Sequence, residues 1–278
     1  MTTGIGRQLK ACGRKKLPRV IEVAHKNYRL ARIFKHDFFA ATAMYEFIGP
    51  DKSDNASSAK AVILKMSRQG DFLGLPLGWL GEFIREHEIS ILRRLQGIGG
   101  TPRLLGRYGK TGLIYEYISG KSLAEGVQAP DDFFDQLEEL LSKIHALDIA
   151  YVDFNKRGNI LLGSDNQAYL IDYQISIHIG RLWQWFFGPA GYLLKVLQRE
   201  DVYHLFKHKR RFRRDLMDEE QLRRSRRISK WVALHRALAR PITTIRRYCL
   251  GYLYRKNQLM IDKTMETHAE TDPSRWNK

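Results

Sequence analysis

The stretch between residues 147 and 176 places three polar side chains where they could act on a bound ligand. Asp153 lies in a loop-like sequence, Asn159 directly precedes a short apolar run, and Asp172 directly follows a second one. The turn-forming residues 163–166 separate the two runs, so the pattern predicts a β-hairpin with Asn159 at its entrance and Asp172 at its exit. Oxygen atoms grouped at one end of a hairpin suit a hard cation such as Mg²⁺, and an upstream carboxylate can orient or deprotonate a hydroxyl group.

The residues before this stretch supply elements that could position a second set of charged groups. Residues 61–65 predict a buried strand that ends in Lys65. Residues 81–95 carry apolar side chains at helical spacing and include Glu88. A lysine after a strand and a glutamate on the next helix can form an ion pair that holds phosphate groups.

Further elements are predicted on either side of this pair. Residues 32–47 predict a strand, a turn and a second strand, and residues 103–108 and 111–118 predict another strand pair. Residues 133–147 predict an amphipathic helix that leads into the loop at Tyr151.

In this order, the features resemble the protein-kinase superfamily, whose signature combines H-R-D-L-x-x-x-N with D-F-G. Tyr151-Val152-Asp153 stands in place of His-Arg-Asp, and Asp172-Tyr173-Gln174 in place of Asp-Phe-Gly. Asn159 follows Asp153 by six positions, one more than in the signature. We place the extra residue in the loop 154–158, so either this loop bulges or the base is not Asp153.

The resemblance implies an α+β, protein-kinase-like fold with two lobes. The expected N-lobe, residues 20–118, has an antiparallel sheet and one C-helix, and the expected C-lobe, residues 119–256, is mainly helical with basic C-terminal helices. Residues 1–19 are then a flexible basic arm and residues 257–278 a tail.

The resemblance also implies ATP and Mg²⁺ as cofactors and assigns roles to individual residues. The implied ATP-binding residues are Lys65, Glu88, Lys35, Phe38, Glu116, Tyr117 and Ile118. The implied metal ligands are Asn159 and Asp172. The implied catalytic residues are Asp153, Lys156 and Arg157, and Asp201 is expected to start a helix and to brace the catalytic loop. Kinases have a glycine-rich loop near Lys35, but residues 35–43 contain no glycine, so an ordinary hairpin is an alternative there.

The segment after Asp172 indicates the kind of acceptor. No Ala-Pro-Glu occurs, and only 28 residues separate Asp172 from Asp201, which leaves little of the segment on which protein kinases dock peptides. These features resemble the bacterial lipopolysaccharide kinases that phosphorylate core sugars (heptose or Kdo). An anionic glycolipid or glycan acceptor is then expected. The aromatic run 182–192 either faces an anionic membrane surface or packs inside the second lobe.

Charge and composition limit the other possibilities. The net charge is +17, and residues 203–256 hold 17 Lys or Arg against 4 acids, a net of +13 that attracts polyanions. We assign the pair His208-Lys209 to this charged surface. Two cysteines give no disulfide framework or zinc spacing, and no signal peptide or bilayer-spanning run is recognised. We therefore expect a cytoplasmic protein, peripheral on the inner face of the membrane if the acceptor is a glycolipid.

Two other function classes remain open. A protein serine/threonine kinase of the RIO type would use the same residues on a macromolecular acceptor. A pseudokinase or basic binding module would turn over no ATP and would bind lipid or nucleic acid in a salt-dependent manner, nucleic acid being the less favoured partner.

Overall fold

A computed structural model of the chain describes residues 10–13, 16–49, 59–71, 76–226 and 260–261. These residues form an α+β fold of antiparallel sheets and helices, divided into two compact units. Unit 1 contains the described residues up to 93, residues 102–118 and residues 260–261. Unit 2 contains residues 94–101 and 119–226.

Unit 1 is built on one antiparallel sheet with the order β1-β2-β3-β4-β6-β5. Its strands are β1 (Val20–Val23), β2 (Lys26–His36), β3 (Ala40–Phe47), β4 (Ala61–Ser67), β5 (Leu104–Tyr108) and β6 (Gly112–Glu116). The predicted strand pairs are therefore confirmed, with β2 extending further towards the N-terminus than predicted. The short strand β12 (Met260–Ile261) pairs with β2.

The sheet carries the core of unit 1 mainly on β3 and β4. Alternating residues Ala41, Ala43 and Tyr45 of β3 are buried, and in β4 every residue after Ala61 is buried. A run buried on both faces is typical of a central strand. As a result Lys65, which the sequence places at a strand end, lies within β4 and is itself buried.

Helix α1 (Gly78–Arg94) is the predicted glutamate-bearing helix and begins three residues earlier than predicted. Its approach to the end of β4 depends on Gly81, because a Cβ atom at this position would overlap the carbonyl group of Arg68. Helix and strand end can therefore approach this closely only with glycine there.

Part of the predicted basic arm belongs to unit 1. Ala11 and Cys12 are buried, the N–H of Ala11 donates to the carbonyl of Asp37, and the N–H of Gln69 donates to the carbonyl of Ala11. The flexible-arm prediction is thus wrong for residues 10–13, because their backbone groups bind those of the sheet. The rest of the arm before residue 10 lies outside the described residues, as does the predicted tail except Met260 and Ile261.

Unit 2 combines short strands with helices. Strands β7 (Gly120–Ser122), β9 (Ile160–Gly163) and β10 (Ala168–Leu170) form one sheet, and β8 (Ile149–Ala150) pairs with β11 (Ile177–His178). The helices are α2 (Phe133–Ala146), α3 (Arg181–Phe186), α4 (Gly188–Phe212) and α5 (Glu219–Arg226). Helix α2 confirms the predicted amphipathic helix, since Phe134, Leu137, Leu141 and Ile144 are buried on one face.

The basic helices differ from the prediction. A helix was predicted to start near Asp201, whereas the 25-residue helix α4 already begins at Gly188 and has Asp201 in its middle. Pro189, at the start of α4, is a favourable first-turn residue and explains the earlier beginning. The predicted helices beyond residue 226 lie outside the described residues. No helix in the part of the chain that the structure describes is long and apolar enough to cross a bilayer.

Candidate active site

The predicted hairpin brings Asn159 and Asp172 to the same end. Strands β9 and β10 pair antiparallel, with Ile160 opposite Leu170. The N–H of Ile171 donates to the carbonyl of Asn159 at 3.0 Å, which continues the ladder by one bond. Asn159 therefore enters the hairpin beside the point where the chain leaves it for Asp172.

The loop between Asp153 and Asn159 is compact. The N–H of Lys156 donates to the carbonyl of Asp153, and the N–H of Asn159 donates to the carbonyl of Lys156, both at 3.1 Å. These two successive tight turns shorten the loop, and Arg157 begins the 3₁₀ turn Arg157–Asn159. The side-chain amide of Asn159 then reaches the carboxylate of Asp153 at 2.9 Å. The extra residue is absorbed without moving Asp153 away from Asn159.

Asp153 is a buried carboxylate with few neighbours that favour its charge. Burial, joined by the negative charge of Asp172, raises its pKa, while Lys156 and the amide of Asn159 act in the opposite direction. The ammonium of Lys156 lies 2.8 Å from the Asp153 carboxylate, and the Lys156 side chain is partly exposed. A raised pKa suits a group that accepts a proton from a hydroxyl.

Tyr151 connects the loop to the strand exit. Its hydroxyl donates to the carbonyl of Ile171, directly before Asp172, and its carbonyl accepts from the hydroxyl of Ser176. Its ring contacts Tyr173 edge-to-face at 5.1 Å. The aromatic residue that replaces the signature histidine therefore fixes the backbone on both sides of Asp172.

Helix α4 supports the loop from its middle. The carboxylate of Asp201 accepts from the N–H of Tyr151 at 2.8 Å and from the N–H of Val152 at 2.7 Å. His145, on α2, lies 3.1 Å from the same carboxylate. Asp201 thus makes the bracing contacts expected of it, although from inside a helix, and its burial raises its pKa.

Two further residues of α4 hold the loop and were not identified from the sequence. His208 donates through Nε2 to the carbonyl of Phe154 at 2.9 Å, and Lys207 donates to the side chain of Asn155 at 3.1 Å. The assignment of His208-Lys209 to the charged surface is wrong, because both side chains are buried and Lys209 pairs with Asp135 at 2.9 Å. The positions of Asp201 and His208, seven apart on one helix, were the available signal.

In unit 1, Lys65 and Glu88 form a buried ion pair. Lys65 Nζ lies 2.9 Å from Glu88 Oε1, and the two side chains are 4% and 2% exposed. Strand β4 supplies the lysine and helix α1 the glutamate, as the sequence predicts. Two charges this well buried require each other, since separating them would leave an unpaired charge in a low-dielectric interior.

The turn between β2 and β3 is held by side chains rather than opened by glycine. The Asp37 carboxylate accepts from the N–H groups of Phe39 and Ala40, each at 2.9 Å, and lies 2.9 Å from Lys35 Nζ. The guanidinium of Arg68 lies 3.9 Å from the centre of the Phe38 ring and donates to the Phe38 carbonyl. Lys35 and Phe38, predicted to bind ATP, are therefore engaged within the turn, and the backbone donors of Phe39 and Ala40 already bind a carboxylate.

The predicted connector begins inside the sheet. The N–H of Glu116 donates to the carbonyl of Arg103, and the N–H of Tyr117 donates to the carbonyl of Ala61. The Glu116 side chain also pairs with Arg103 at 2.9 Å. Recognition of a base through this segment thus has to use the N–H of Ile118 or carbonyl groups.

The oxygen-rich residues of unit 2 match the ligand preference of Mg²⁺. Among the described residues, no group of three or more His, Cys, Asp or Glu side chains is placed to hold a metal ion. Mg²⁺ sites commonly use only one or two carboxylates together with substrate phosphates and water. Asp172, near enough to Asp153 to raise its pKa, and the side-chain carbonyl of Asn159 form such a set.

Compared with models of known protein families and with curated proteins, the sequence matches none.

Proposed function

We propose that this chain is an ATP-dependent phosphotransferase with a protein-kinase-like, two-lobed organisation, which moves the γ-phosphoryl group of Mg-ATP to a hydroxyl group. The observation that carries the proposal is the cluster at the end of the β9–β10 hairpin. Asp153 and Asn159 are hydrogen-bonded there at 2.9 Å, and Asp172 leaves the same end of the hairpin. The Lys65–Glu88 pair of unit 1 supports it, because a fixed ammonium group is what phosphates require.

In this proposal each residue has one task. Lys65, oriented by Glu88, binds the α- and β-phosphates, and Asn159 and Asp172 hold Mg²⁺. When bound, Mg²⁺ supplies charge neutralisation for the phosphates. Asp153 orients the acceptor hydroxyl and accepts its proton, and Lys156 offers a positive charge beside the reacting group.

The acceptor we propose is a sugar hydroxyl of a lipopolysaccharide core or a similar anionic glycolipid. After Asp172 the chain forms only β11 and the short helix α3 before α4 begins at Gly188. This arrangement offers little extended chain for binding a peptide. The net charge of +17 favours an anionic acceptor.

Transfer from γ-labelled ATP to three acceptors tests the proposal: lipid A–core glycan, a generic protein substrate and water. We expect labelled glycan with the wild-type chain, and a loss of about 10²-fold or more for Lys65→Ala and Asp172→Ala. Lys60→Ala, an exposed lysine beside the start of β4, is the matched control and should retain activity. Labelling of protein alone would support a RIO-like kinase instead.

A catalytically weak binding module is the second candidate, and the β2–β3 turn favours it. Asp37 occupies the N–H groups of Phe39 and Ala40, which a phosphate-binding loop would present to the nucleotide. If no acceptor is labelled and Asp153→Ala leaves ATP consumption unchanged, this second candidate replaces the first.

A further inference from the structure

A cluster of apolar side chains is exposed at the junction of α3 and α4. The members of this aromatic knob are Leu182, Trp183, Trp185, Phe186, Phe187 and Tyr192. Trp185 and Phe186 are 79% and 68% exposed, so the aromatics do not pack inside unit 2 as one alternative from the sequence held. Exposed apolar patches of this kind mark interaction surfaces.

The knob is an ordered structure rather than an open loop. The N–H of Phe187 donates to the carbonyl of Trp183, and the N–H of Ala190 donates to the carbonyl of Phe187, which links α3 to α4. The Gln184 side chain donates to the carbonyl of Ile179 at 2.6 Å. The rings of Trp183 and Phe187 stack at 5.2 Å. The backbone groups at the junction are therefore satisfied while the large side chains point to solvent.

The charges around the knob select one kind of partner. Residues 173–199 contain no Asp or Glu. Arg181 is 90% exposed and lies 3.6 Å from Asp148, and Lys195 and Arg199 are exposed on α4. Tyr192, Lys195 and Arg199 succeed one another at helical spacing, so one face of α4 continues from aromatic to cationic.

We propose that the aromatic knob docks the chain onto the surface of an anionic lipid bilayer. Tryptophan and phenylalanine insert at the boundary between headgroups and acyl chains, where an apolar ring is buried and its polar edge remains hydrated. Arg181, Lys195 and Arg199 then lie among acidic headgroups, which attract them. The binding does not rest on the proposed phosphoryl transfer, because none of these residues belongs to the candidate active site.

Co-sedimentation of the full chain with vesicles tests the proposal. We expect binding to vesicles of phosphatidylcholine with phosphatidylglycerol, weaker binding to phosphatidylcholine alone, and a loss of about tenfold or more for W185A/F186A. The matched control is W79A/F83A, which removes a tryptophan and a phenylalanine of unit 1 that are each 67% exposed, and should bind as the wild type does. Lys195→Glu with Arg199→Glu should weaken binding to the anionic vesicles.

The outcomes separate the alternatives. Equal binding by the two aromatic double variants, or equal binding of the wild type to both vesicle types, would overturn the proposal. So would a concentration-dependent dimer that W185A/F186A abolishes without any change in vesicle binding, since a second copy would then cover the knob. Asp172→Asn should bind vesicles as the wild type does, so that failure of the activity and failure of the docking surface are told apart.

Discussion

The side-chain amide of Asn159 donates a 2.9 Å hydrogen bond to the carboxylate of Asp153, six positions earlier in the chain. Two tight turns between them make this contact possible, and the burial of the pair determines its electrostatics. Asp153 remains a carboxylate in a poorly solvated place, with a second negative charge at Asp172. Such an arrangement is unfavourable for stability and useful for chemistry.

Asp153→Asn should therefore stabilise the fold at neutral pH relative to its effect in acid. Because the pKa of Asp153 is raised in the folded chain, the folded state binds a proton more tightly than the unfolded state does. Stability from this group is thus lost as pH rises from the unfolded value, about 3.9, through the raised folded value. Asparagine has no such loss, so the difference in unfolding free energy, variant minus wild type, should increase between about pH 4 and pH 7.

Urea unfolding at several pH values measures this difference. The variant keeps an oxygen acceptor for the Asn159 amide but loses the ion pair with Lys156. A difference that is constant across this pH range would show that Asp153 does not titrate abnormally. The same variant should lose phosphoryl transfer, which separates its effect on stability from its effect on function.

Removing either partner of the Lys65–Glu88 pair should destabilise the chain strongly. Lys65→Met or Glu88→Leu leaves one charge unpaired in the interior, at a cost of about 3–5 kcal/mol. The double variant K65M/E88L should lose much less than the sum of the single variants, because no unpaired charge remains.

A surface pair in the same unit provides the control. Arg103 and Glu116 are separated by the same 2.9 Å, but their side chains are 52% and 38% exposed. Arg103→Met should cost less than about 1 kcal/mol. Additive effects of Lys65→Met and Glu88→Leu in chemical denaturation would contradict a coupled buried pair.

Gly81→Ala should destabilise unit 1 by about 1–3 kcal/mol, since the new methyl group would overlap the Arg68 carbonyl. Gly78→Ala, three residues earlier on the same helix, is the matched control. No atom lies within 4 Å of a Cβ at Gly78, and alanine there should stabilise the helix by up to about 1 kcal/mol. Opposite signs in urea unfolding are expected, and equal effects would show that α1 does not approach Arg68 closely.

The sequence was sufficient to predict elements whose pattern is local. The hairpin around Asn159 and Asp172, the strand of Lys65 and the helix of Glu88 are specified by apolar runs and turn residues. The compact loop after Asp153 was not predictable, because its two tight turns depend on contacts with Asp201 and other residues far along the chain. His208 was misassigned for the same reason, since a charged neighbourhood in sequence says little about which face of a helix is buried.

Val152 has φ 69°, a left-handed backbone conformation that is costly for a β-branched residue, and Asp201 accepts the hydrogen bond from its N–H. Val152→Gly should therefore raise the unfolding free energy by about 1 kcal/mol, because glycine adopts this conformation without strain. Val20→Gly, in the exposed strand β1, should instead lower it, as glycine does in an ordinary strand. In the background of Asp201→Asn the gain from Val152→Gly should shrink, since the loop is then free to relax. Thermal and urea unfolding of the four chains that combine the Val152 and Asp201 changes measure this coupling, and strictly additive effects would show that Asp201 does not hold the strained residue in place.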